Sequence, residues 1–422
     1  MYAMLKNGAL LKPYIKQLEE KIEPRLKEIE AMADYNQFKV LRAFQKAAIS
    51  DYHFAASTGY GYDDVGRDGI ESVYATVFGA EAALVRPQIA SGTHAISICL
   101  FGLLRPGDEL MYMTGAPYDT LEEVIGVRGD GQGSLKDYQI DYQAIALRED
   151  GRVDYDRVKA AISERTKVIG IQRSKGYADR PSFRVEEIKE MVRFVKEIKP
   201  DVIVFVDNCY GEFTESLEPT EVGVDIMAGS LIKNPGGGIA KSGGYIVGKE
   251  EYVRLSSYRM TAPGIGAEVG ATLYSLPETY QGFFLAPHVV GEALKGAVFT
   301  AGLLEMVGFK TEPKWADPRT DLIQSVEFGT AERLIAFCQG IQKASPVDSF
   351  VSPEPSEMPG YADPVIMAGG TFIQGSSIEL SADGPIRAPY LGFIQGGLTY
   401  SHVKVGVLTA LDELIENKLL TL

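Results

Sequence analysis

The chain has 422 residues, too many for one compact core. Hydrophobic residues make up 45% and charged residues 23%, which is an ordinary globular composition. Lys and Arg number 42 against 57 Asp and Glu, and this net charge of -15 disfavours nucleic acid and anionic membranes as general partners. Three widely spaced cysteines, Cys99, Cys209 and Cys338, argue against a disulfide framework or a zinc site and favour a reducing cytoplasm.

The first part of the chain, residues 1–55, is predicted to be a helical arm. It has Glu and Lys at helix-face spacing and few strand formers, and such an arm more often packs on a partner subunit or domain than carries chemistry. The start turns charged quickly, so we expect no signal peptide, and no later stretch approaches a membrane-spanning length. The four histidines lie at no metal-ligand spacing, so we expect no metal site.

Residues 56–290 alternate apolar runs with amphipathic helices. The runs at 167–172, 201–207 and 243–248 are typical of buried strands, and "RVEEIKEMVRFVKEIKP" at 184–200 is typical of a helix ended by its proline. The alternation predicts one large α/β domain whose mostly parallel sheet is covered by helices on both faces.

Residues 291–422 have a different texture and are predicted to form a smaller α+β domain. A stretch rich in proline and turn residues comes first. The segment "TFIQGSSIELSADG" then reads as strands, and "YSHVKVGVLTALDELIENK" reads as a final helix.

Small residues open an apolar helix that we predict from about Thr93 to Leu104. The free N–H groups and the dipole at such a helix start favour an anion such as phosphate. The simpler alternative is an N-cap, in which Ser91 or Thr93 binds the N–H groups of its own helix. This motif alone leaves both readings open.

Asp207 ends the apolar run "VIVFVD", at the edge where parallel strands of an α/β sheet meet a ligand crevice. A carboxylate buried there needs a cation or a protonated ring nitrogen as its partner. The alternatives are a helix cap or a structural ion pair, which are common roles for an aspartate at a strand end.

Lys233 follows another strand-like run, in "GSLIKNPGGGIAKSGGYIVG". The nucleotide-binding loop pattern is absent, because neither Lys233 nor Lys241 has both a preceding glycine and a following Ser or Thr. A buried lysine is rare unless it is paired or covalently used, and we expect burial to lower the pKa of its amine and make it nucleophilic. The alternative is a lysine that extends its amine to solvent from a strand end.

Together these features follow the order expected for pyridoxal 5'-phosphate (PLP), whose phosphate, pyridine nitrogen and aldehyde need a helix start, an acid and an amine. On "ASGTHA", "FVDNCYGEF" and "GSLIKNPGGGIAKSGGYIVG" the chain resembles the PLP enzymes of cysteine and methionine metabolism, in the aluminium-resistance or methionine γ-lyase-like branch. The resemblance covers nearly the whole chain. It implies the fold-type-I, aspartate aminotransferase-like architecture, with a mostly parallel seven-stranded sheet and a smaller α+β domain.

The resemblance also implies a role for each matching residue. Lys233 matches the Schiff-base lysine and Asp207 the partner of the pyridinium nitrogen. Tyr118, in "GAPYDTLEE", lies near where the family places a tyrosine that stacks on the cofactor ring, and we expect it to assist proton transfers; without the family, a half-buried loop tyrosine is the alternative. The phosphate-binding residues are matched by Ser91, Gly92, Thr93 and Ser230.

Two further sites are expected from the family. A Tyr-x-Arg segment usually crosses the dimer interface to the neighbour's phosphate, but "GYGYDDVGR" lacks that spacing, and Tyr62 and Arg67 are the candidates. A small-domain arginine usually binds the substrate carboxylate, and Arg387 is the only arginine after residue 333. A surface arginine in a proline-bounded loop is the alternative for Arg387.

The resemblance implies a cytoplasmic carbon–sulfur lyase that performs β- or γ-elimination on a sulfur-containing amino acid. Cofactor sites shared between subunits imply a homodimer or homotetramer. An aldolase or aminotransferase would use the same lysine, aspartate and phosphate site, so these remain alternatives. A non-catalytic role in stress or metal tolerance is a further alternative, but the sequence contains no Cys/His cluster that would support it.

Overall fold

The computed structural model describes residues 5–358 and 363–422. The chain divides into two compact units, one of residues 36–284 and one that combines the residues up to Tyr35 with 285–422. Two long helices, α1 (Gly8–Lys46) and α8 (Leu276–Met306), contribute residues to both units. The predicted boundaries at residues 55 and 290 stay predictions. The first residues of the predicted arm are grouped with the C-terminal unit.

The larger unit is built on a seven-stranded sheet with the strand order β1-β7-β6-β5-β4-β2-β3. Strands β2 to β6 pair in parallel, and β7 is antiparallel to both β1 and β6. The mostly parallel seven-stranded sheet is therefore confirmed. Its strands are β1 (Ala82–Arg86), β2 (Glu109–Tyr112), β3 (Asp141–Ala144), β4 (Thr166–Gln172), β5 (Ile203–Asp207), β6 (Ile226–Ser230) and β7 (Gly244–Gly248).

The connection between the antiparallel strands β6 and β7 lacks the α-helix that usually links parallel neighbours. A parallel neighbour needs a crossover of a dozen or more residues, usually a helix. Here the connection contains only a 3-10 helix, Asn234–Gly236, inside a glycine-rich turn. A Cβ at Gly236 would lie 1.7 Å from the carbonyl oxygen of Leu231, so only glycine fits where this turn doubles back.

The central strands, such as β5 and β6, are buried along their whole length, as expected for a parallel sheet that is covered by helices. The helix predicted at 184–200 is present as Val185–Ile198, and the Glu187 carboxylate accepts a 2.8 Å hydrogen bond from the Arg184 N–H at its start. The helices are α2 (Val65–Val77), α3 (Gly92–Leu103), α4 (Asp119–Ile125), α5 (Tyr155–Ala161), α6 (Val185–Ile198) and α7 (Glu250–Met260). Further 3-10 helices are Asp51–Phe54, Pro219–Val222 and Gly266–Glu268.

The smaller unit contains a five-stranded antiparallel sheet in the order β10-β11-β12-β9-β8. This is the predicted α+β architecture, and the final helix is present. Its elements are β8 (Lys310–Glu312), β9 (Gln324–Glu327), α9 (Ala331–Lys343), β10 (Val365–Ala368), β11 (Ser381–Pro385), β12 (Leu391–Gln395) and α10 (Tyr400–Glu416).

The strand prediction for "TFIQGSSIEL" is wrong, because pairing begins only at Ser381. The segment folds around the Glu379 carboxylate, which accepts hydrogen bonds from the N–H groups of Phe372 at 2.8 Å and Ile373 at 2.9 Å. A side chain thus takes donors that a neighbouring strand would otherwise bind. Among the described residues, no helix is both long and apolar enough to span a membrane.

Candidate active site

The start of α3 forms one wall of the candidate site. Ser91 is its N-cap, and the Ser91 hydroxyl accepts a 3.1 Å hydrogen bond from the His94 N–H. A hydroxyl that accepts this bond still carries a proton of its own to donate. A Cβ at Gly92 would lie 3.2 Å from Cys209 Sγ and 3.4 Å from the Cβ of Ser230, so the helix start packs closely against the ends of two neighbouring strands. Ser91 can therefore cap its own helix and still offer its proton to an anion, so the N-cap and the anion-site interpretations are compatible.

The carboxyl ends of β4 and β5 place two polar side chains side by side. Gln172 and Asp207 are the last residues of these strands and are paired in register. Asp207 is buried, and its Oδ1 accepts a 3.1 Å hydrogen bond from the Cys209 N–H. Burial raises the pKa of the Asp207 carboxyl, although Lys233 and the Cys209 bonds oppose the rise.

Lys233 lies three residues after β6, at the start of the 3-10 helix Asn234–Gly236. Its Nζ is 4.1 Å from the ring centre of Tyr210. Burial lowers the pKa of the Lys233 amine, but Cys209, Tyr210 and Asp207 together raise it more, so that the pKa lies above the ordinary value. The expected lowering of the pKa is thus wrong for the free side chain, because the sequence pattern reveals burial but not the acidic neighbours.

Tyr118 stands at the start of α4 and reaches the beginning of α3. Its hydroxyl donates a 2.8 Å hydrogen bond to Thr93 Oγ1, and its N–H donates a 2.8 Å bond to Gln172 Oε1. Burial and the nearby Asp207 raise the pKa of the Tyr118 phenol, which therefore keeps its proton at neutral pH. The phenol is a proton donor held between the helix start and the strand ends.

These elements enclose a cavity of about 280 Å³. A carboxylate, an amine, hydroxyls from the α3 start and from the end of β6, and an aromatic ring meet there within one unit of the fold. The predicted site residues that line the cavity are Ser91, Gly92, Thr93, Tyr118, Asp207, Ser230 and Lys233.

Comparison with known proteins assigns the family. The model of the methionine gamma-lyase family matches residues 11–415 of the chain. The chain belongs to the methionine gamma-lyase family. The resemblance inferred from the sequence motifs is therefore confirmed.

Members of the methionine gamma-lyase family and related folds occur at several distances from this chain. The uncharacterized protein YnbB of Bacillus subtilis (strain 168) is 64% identical over 421 residues, covering 100% of both chains. A crystal structure of a carbon-sulfur lyase involved in aluminum resistance, from Clostridium novyi NT, is 48% identical with a TM-score of 0.93 over 96% of each chain. Cystathionine gamma-lyase from Lactobacillus plantarum, at 17% identity, shares the fold with a TM-score of 0.57 over 83% of this chain and 86% of that one. The predicted fold-type-I class is thereby confirmed.

Three predicted residues lie elsewhere in this chain. Tyr62 is exposed, while Arg67 is buried and its Nη1 donates a 2.6 Å hydrogen bond to the carbonyl oxygen of Gly61, within the loop that carries Tyr62. Arg387 is exposed in the smaller unit and forms a 3.2 Å ion pair with Asp363. The roles of Tyr62 and Arg67 toward a partner, and of Arg387 toward a substrate, stay predictions.

The sequence reading missed several residues of the cavity lining. Gln172 and Tyr210 are the most consequential, because they contact Tyr118 and Lys233. Gln172 is signalled only by its place at the end of a predicted strand. Tyr210 follows Asp207 by three residues, but nothing in the pattern shows that it turns back toward a lysine. The other missed lining residues are Ser174, Gly176, Tyr177, Cys209 and Ile232.

Proposed function

We propose that this protein is a PLP-dependent carbon–sulfur lyase that eliminates the β- or γ-substituent, a thiol, from a sulfur-containing amino acid. The observation that carries the proposal is the single cavity in which the Lys233 amine, the buried Asp207 carboxylate and the α3 start face one another. Membership in the methionine gamma-lyase family supports the same reaction class.

The donors and acceptors of the cavity fit PLP. The α3 start, with Ser91, Thr93 and the buried Ser230 hydroxyl, would hold the phosphate, since free N–H groups and hydroxyls bind an anion. Asp207 would hold the pyridine nitrogen, because a buried carboxylate is stabilised by a protonated partner. The Tyr118 ring would lie against the cofactor ring.

When bound, PLP supplies an aldehyde that bonds to amines and a protonated ring that accepts the electrons left at the Cα of an amino acid. Lys233 would bond to the aldehyde, be displaced by the substrate amine, and then take the Cα proton at Nζ. Asp207 would keep the pyridine nitrogen protonated. Tyr118, which keeps its phenolic proton at neutral pH, would donate it to the departing sulfur.

The substrate carboxylate is assigned by the proposal to Arg387, whose guanidinium suits a planar, bidentate partner. Its present partner Asp363 is a carboxylate, so the side chain already makes the type of ion pair that a substrate would require. Replacing Arg387 with Lys should raise KM for the amino acid with a smaller change in kcat.

The exposed aromatic surface near Arg67 supports an oligomer with shared sites. Tyr60, Tyr62, Leu273 and Tyr274 are each more than 60% exposed, and Tyr60 and Tyr62 are in ring contact. Such a patch is typical of a protein–protein contact. We propose a cytoplasmic homodimer or homotetramer, which sedimentation of the purified protein tests directly. A monomer that binds PLP tightly would contradict the shared site.

Product analysis tests the reaction. The purified protein is incubated with cystathionine, cysteine, methionine or threonine, and pyruvate, 2-oxobutanoate and aldehydes are measured. A lyase gives a 2-oxo acid, ammonia and a thiol (hydrogen sulfide from cysteine) from the sulfur amino acids, whereas an aldolase gives an aldehyde from threonine. Transfer of the amino group to an added 2-oxo acid would identify an aminotransferase. No product from any of them, with no cofactor bound, would favour the non-catalytic alternative.

A further inference from the structure

Tyr210 lines the cavity in contact with the lysine amine. It lies in the loop after β5, lines the same cavity as Asp207, and presents its ring to Lys233 with the Nζ 4.1 Å from the ring centre. Its backbone is left-handed, with φ 72°, a conformation that costs free energy for any residue except glycine. A strained backbone at a ligand site indicates that the surroundings impose the orientation of the side chain.

The surroundings that impose it lie directly beneath the loop. A Cβ on the next residue, Gly211, would lie 2.6 Å from the Cδ and Nη1 atoms of Arg173. Arg173 is fully buried and donates hydrogen bonds to Asn208 Oδ1 at 2.8 Å and to Glu215 at 2.9 Å. The loop is thus clamped on both sides of Tyr210, which leaves the ring pointing into the cavity.

The lysine loop is tied to the same segment. Asn234, the residue after Lys233, donates a 2.9 Å hydrogen bond from Nδ2 to the carbonyl oxygen of Glu212. Asn234 is fully buried, so water does not compete for this bond. The separation of the Tyr210 ring from the Lys233 amine is therefore set by two loops that are bonded to each other.

We infer that Tyr210 is a positioning residue for Lys233, and that its ring face holds the lysine nitrogen, in its charged form, at the cavity wall. The physical cause is the attraction of a cation to the negative face of an aromatic ring within about 6 Å of its centre. This inference rests on the proposed bond between Lys233 and PLP, because the ring would act on the same nitrogen before and after that bond forms.

Other groups also face the lysine nitrogen, and they are unchanged when only Tyr210 is replaced. Burial raises the pKa values of Tyr118 and Cys209. Burial raises the pKa of Glu212 to about 8. The groups that act on Lys233 are Asp207, Cys209, Tyr210, Tyr118 and Glu212.

The test is a pH titration of the holoenzyme. The visible absorbance of the lysine-linked cofactor is followed against pH in the wild type, Tyr210→Ala, Tyr210→Gly and Tyr210→Phe. Since the ring favours the charged nitrogen, its removal should lower the titration midpoint by roughly 0.5–1 pH unit in the Ala and Gly variants. Phe keeps the ring face and should stay near the wild-type midpoint. The Gly variant also relieves the left-handed backbone, so it remains informative if the Ala variant is unstable.

Two outcomes would overturn the inference while leaving the proposed function intact. One is an unchanged midpoint in both ringless variants, and the other is a Phe midpoint that falls as far as that of Ala. Borohydride trapping of the wild type, followed by mass analysis of the Lys233 peptide, is done first. Absence of trapped cofactor at Lys233 would overturn the proposed function and this inference with it.

Discussion

At the edge of the larger sheet, residues that are adjacent in sequence lie in two different regions, one facing the cavity and one buried beneath it. Asp207 and Lys233 line the cavity, whereas Asn208 and Asn234, the next residue in each case, are fully buried. Both asparagines bind protein groups: Asn208 Nδ2 donates to Glu218 at 3.2 Å, and Asn234 donates to the Glu212 backbone. The buried side fixes the two loops, and the cavity side is left to meet a ligand.

The contrast lies in how the polar groups are satisfied. Beneath the cavity, Tyr245 donates a 2.6 Å hydrogen bond to Glu212, and Arg173 bonds to Asn208. Such hydrogen bonds are strong in a buried setting, and their loss leaves buried polar groups with neither a protein partner nor water to bind. In the cavity the main groups are instead an acid and an amine with raised pKa values. We therefore expect substitutions on the cavity side to change activity most, and substitutions beneath it to change stability most.

Lys233→Ala should have the largest effect. Removal of the amine that bonds to PLP and takes the Cα proton should lower 2-oxo acid formation by about 10⁴-fold. Borohydride should no longer fix the cofactor to the protein. Lys241→Ala is the matched control, because Lys241 is exposed and pairs with Glu278; it should keep both the adduct and the activity. Equal losses in the two variants would contradict the role of Lys233.

Asp207→Asn should come next. The amide keeps the shape of the side chain but cannot hold a charged pyridine nitrogen, so kcat should fall roughly 100- to 1000-fold. The cofactor's visible spectrum should change in parallel. Asp201→Asn, at an exposed position just before β5, is the control for a lost carboxylate. A kcat for Asp207→Asn within twofold of wild type would remove Asp207 from the proposed mechanism.

Tyr118→Phe should have a smaller effect on activity. It removes the 2.8 Å hydrogen bond to Thr93 but keeps the ring, so kcat should fall about five- to tenfold. Tyr138→Phe, at an exposed tyrosine, should leave kcat unchanged. If kcat is unaffected in both variants, the Tyr118 phenol takes no part in proton transfer.

Glu212→Gln should change activity least and the pH dependence of stability most. Burial raises the pKa of Glu212 from 4.5 to about 8 in the folded protein. The folded protein therefore holds a proton that the unfolded chain loses, so the stability from this group is complete below pH 4.5 and is lost as the pH rises through about 8. Wild type should lose on the order of a few kcal/mol from this group, measured by urea unfolding between pH 5 and 9.

Gln does not titrate, so the Glu212→Gln variant should have a flatter stability profile than wild type. Glu149→Gln, at an exposed loop position, should reproduce the wild-type profile. Parallel wild-type and Glu212→Gln profiles would show that Glu212 is already ionised in the folded protein and would contradict its raised pKa.

Periodicity predicted the elements that are buried along regular patterns. The strand runs at 167–172 and 201–207 and the helix at 184–200 are present with small shifts at their ends. The prediction was wrong for 371–380, where the Glu379 carboxylate binds backbone N–H groups that were expected to pair in a sheet. A local side chain can replace a strand neighbour, and alternation of residue types does not reveal this competition.

Motif chemistry was enough to select Asp207, Lys233 and the α3 start, because each residue type at a strand end or helix start has a narrow set of uses, and the family's motifs combine them. The partners of these residues are another matter. Tyr210 reaches Lys233 only through a left-handed turn held by Arg173, and Gln172 reaches Tyr118 only because β4 pairs with β2, the strand that precedes Tyr118. Contacts between residues distant in the chain, and the pKa values that follow from them, arise from packing, which one-dimensional order does not encode position by position.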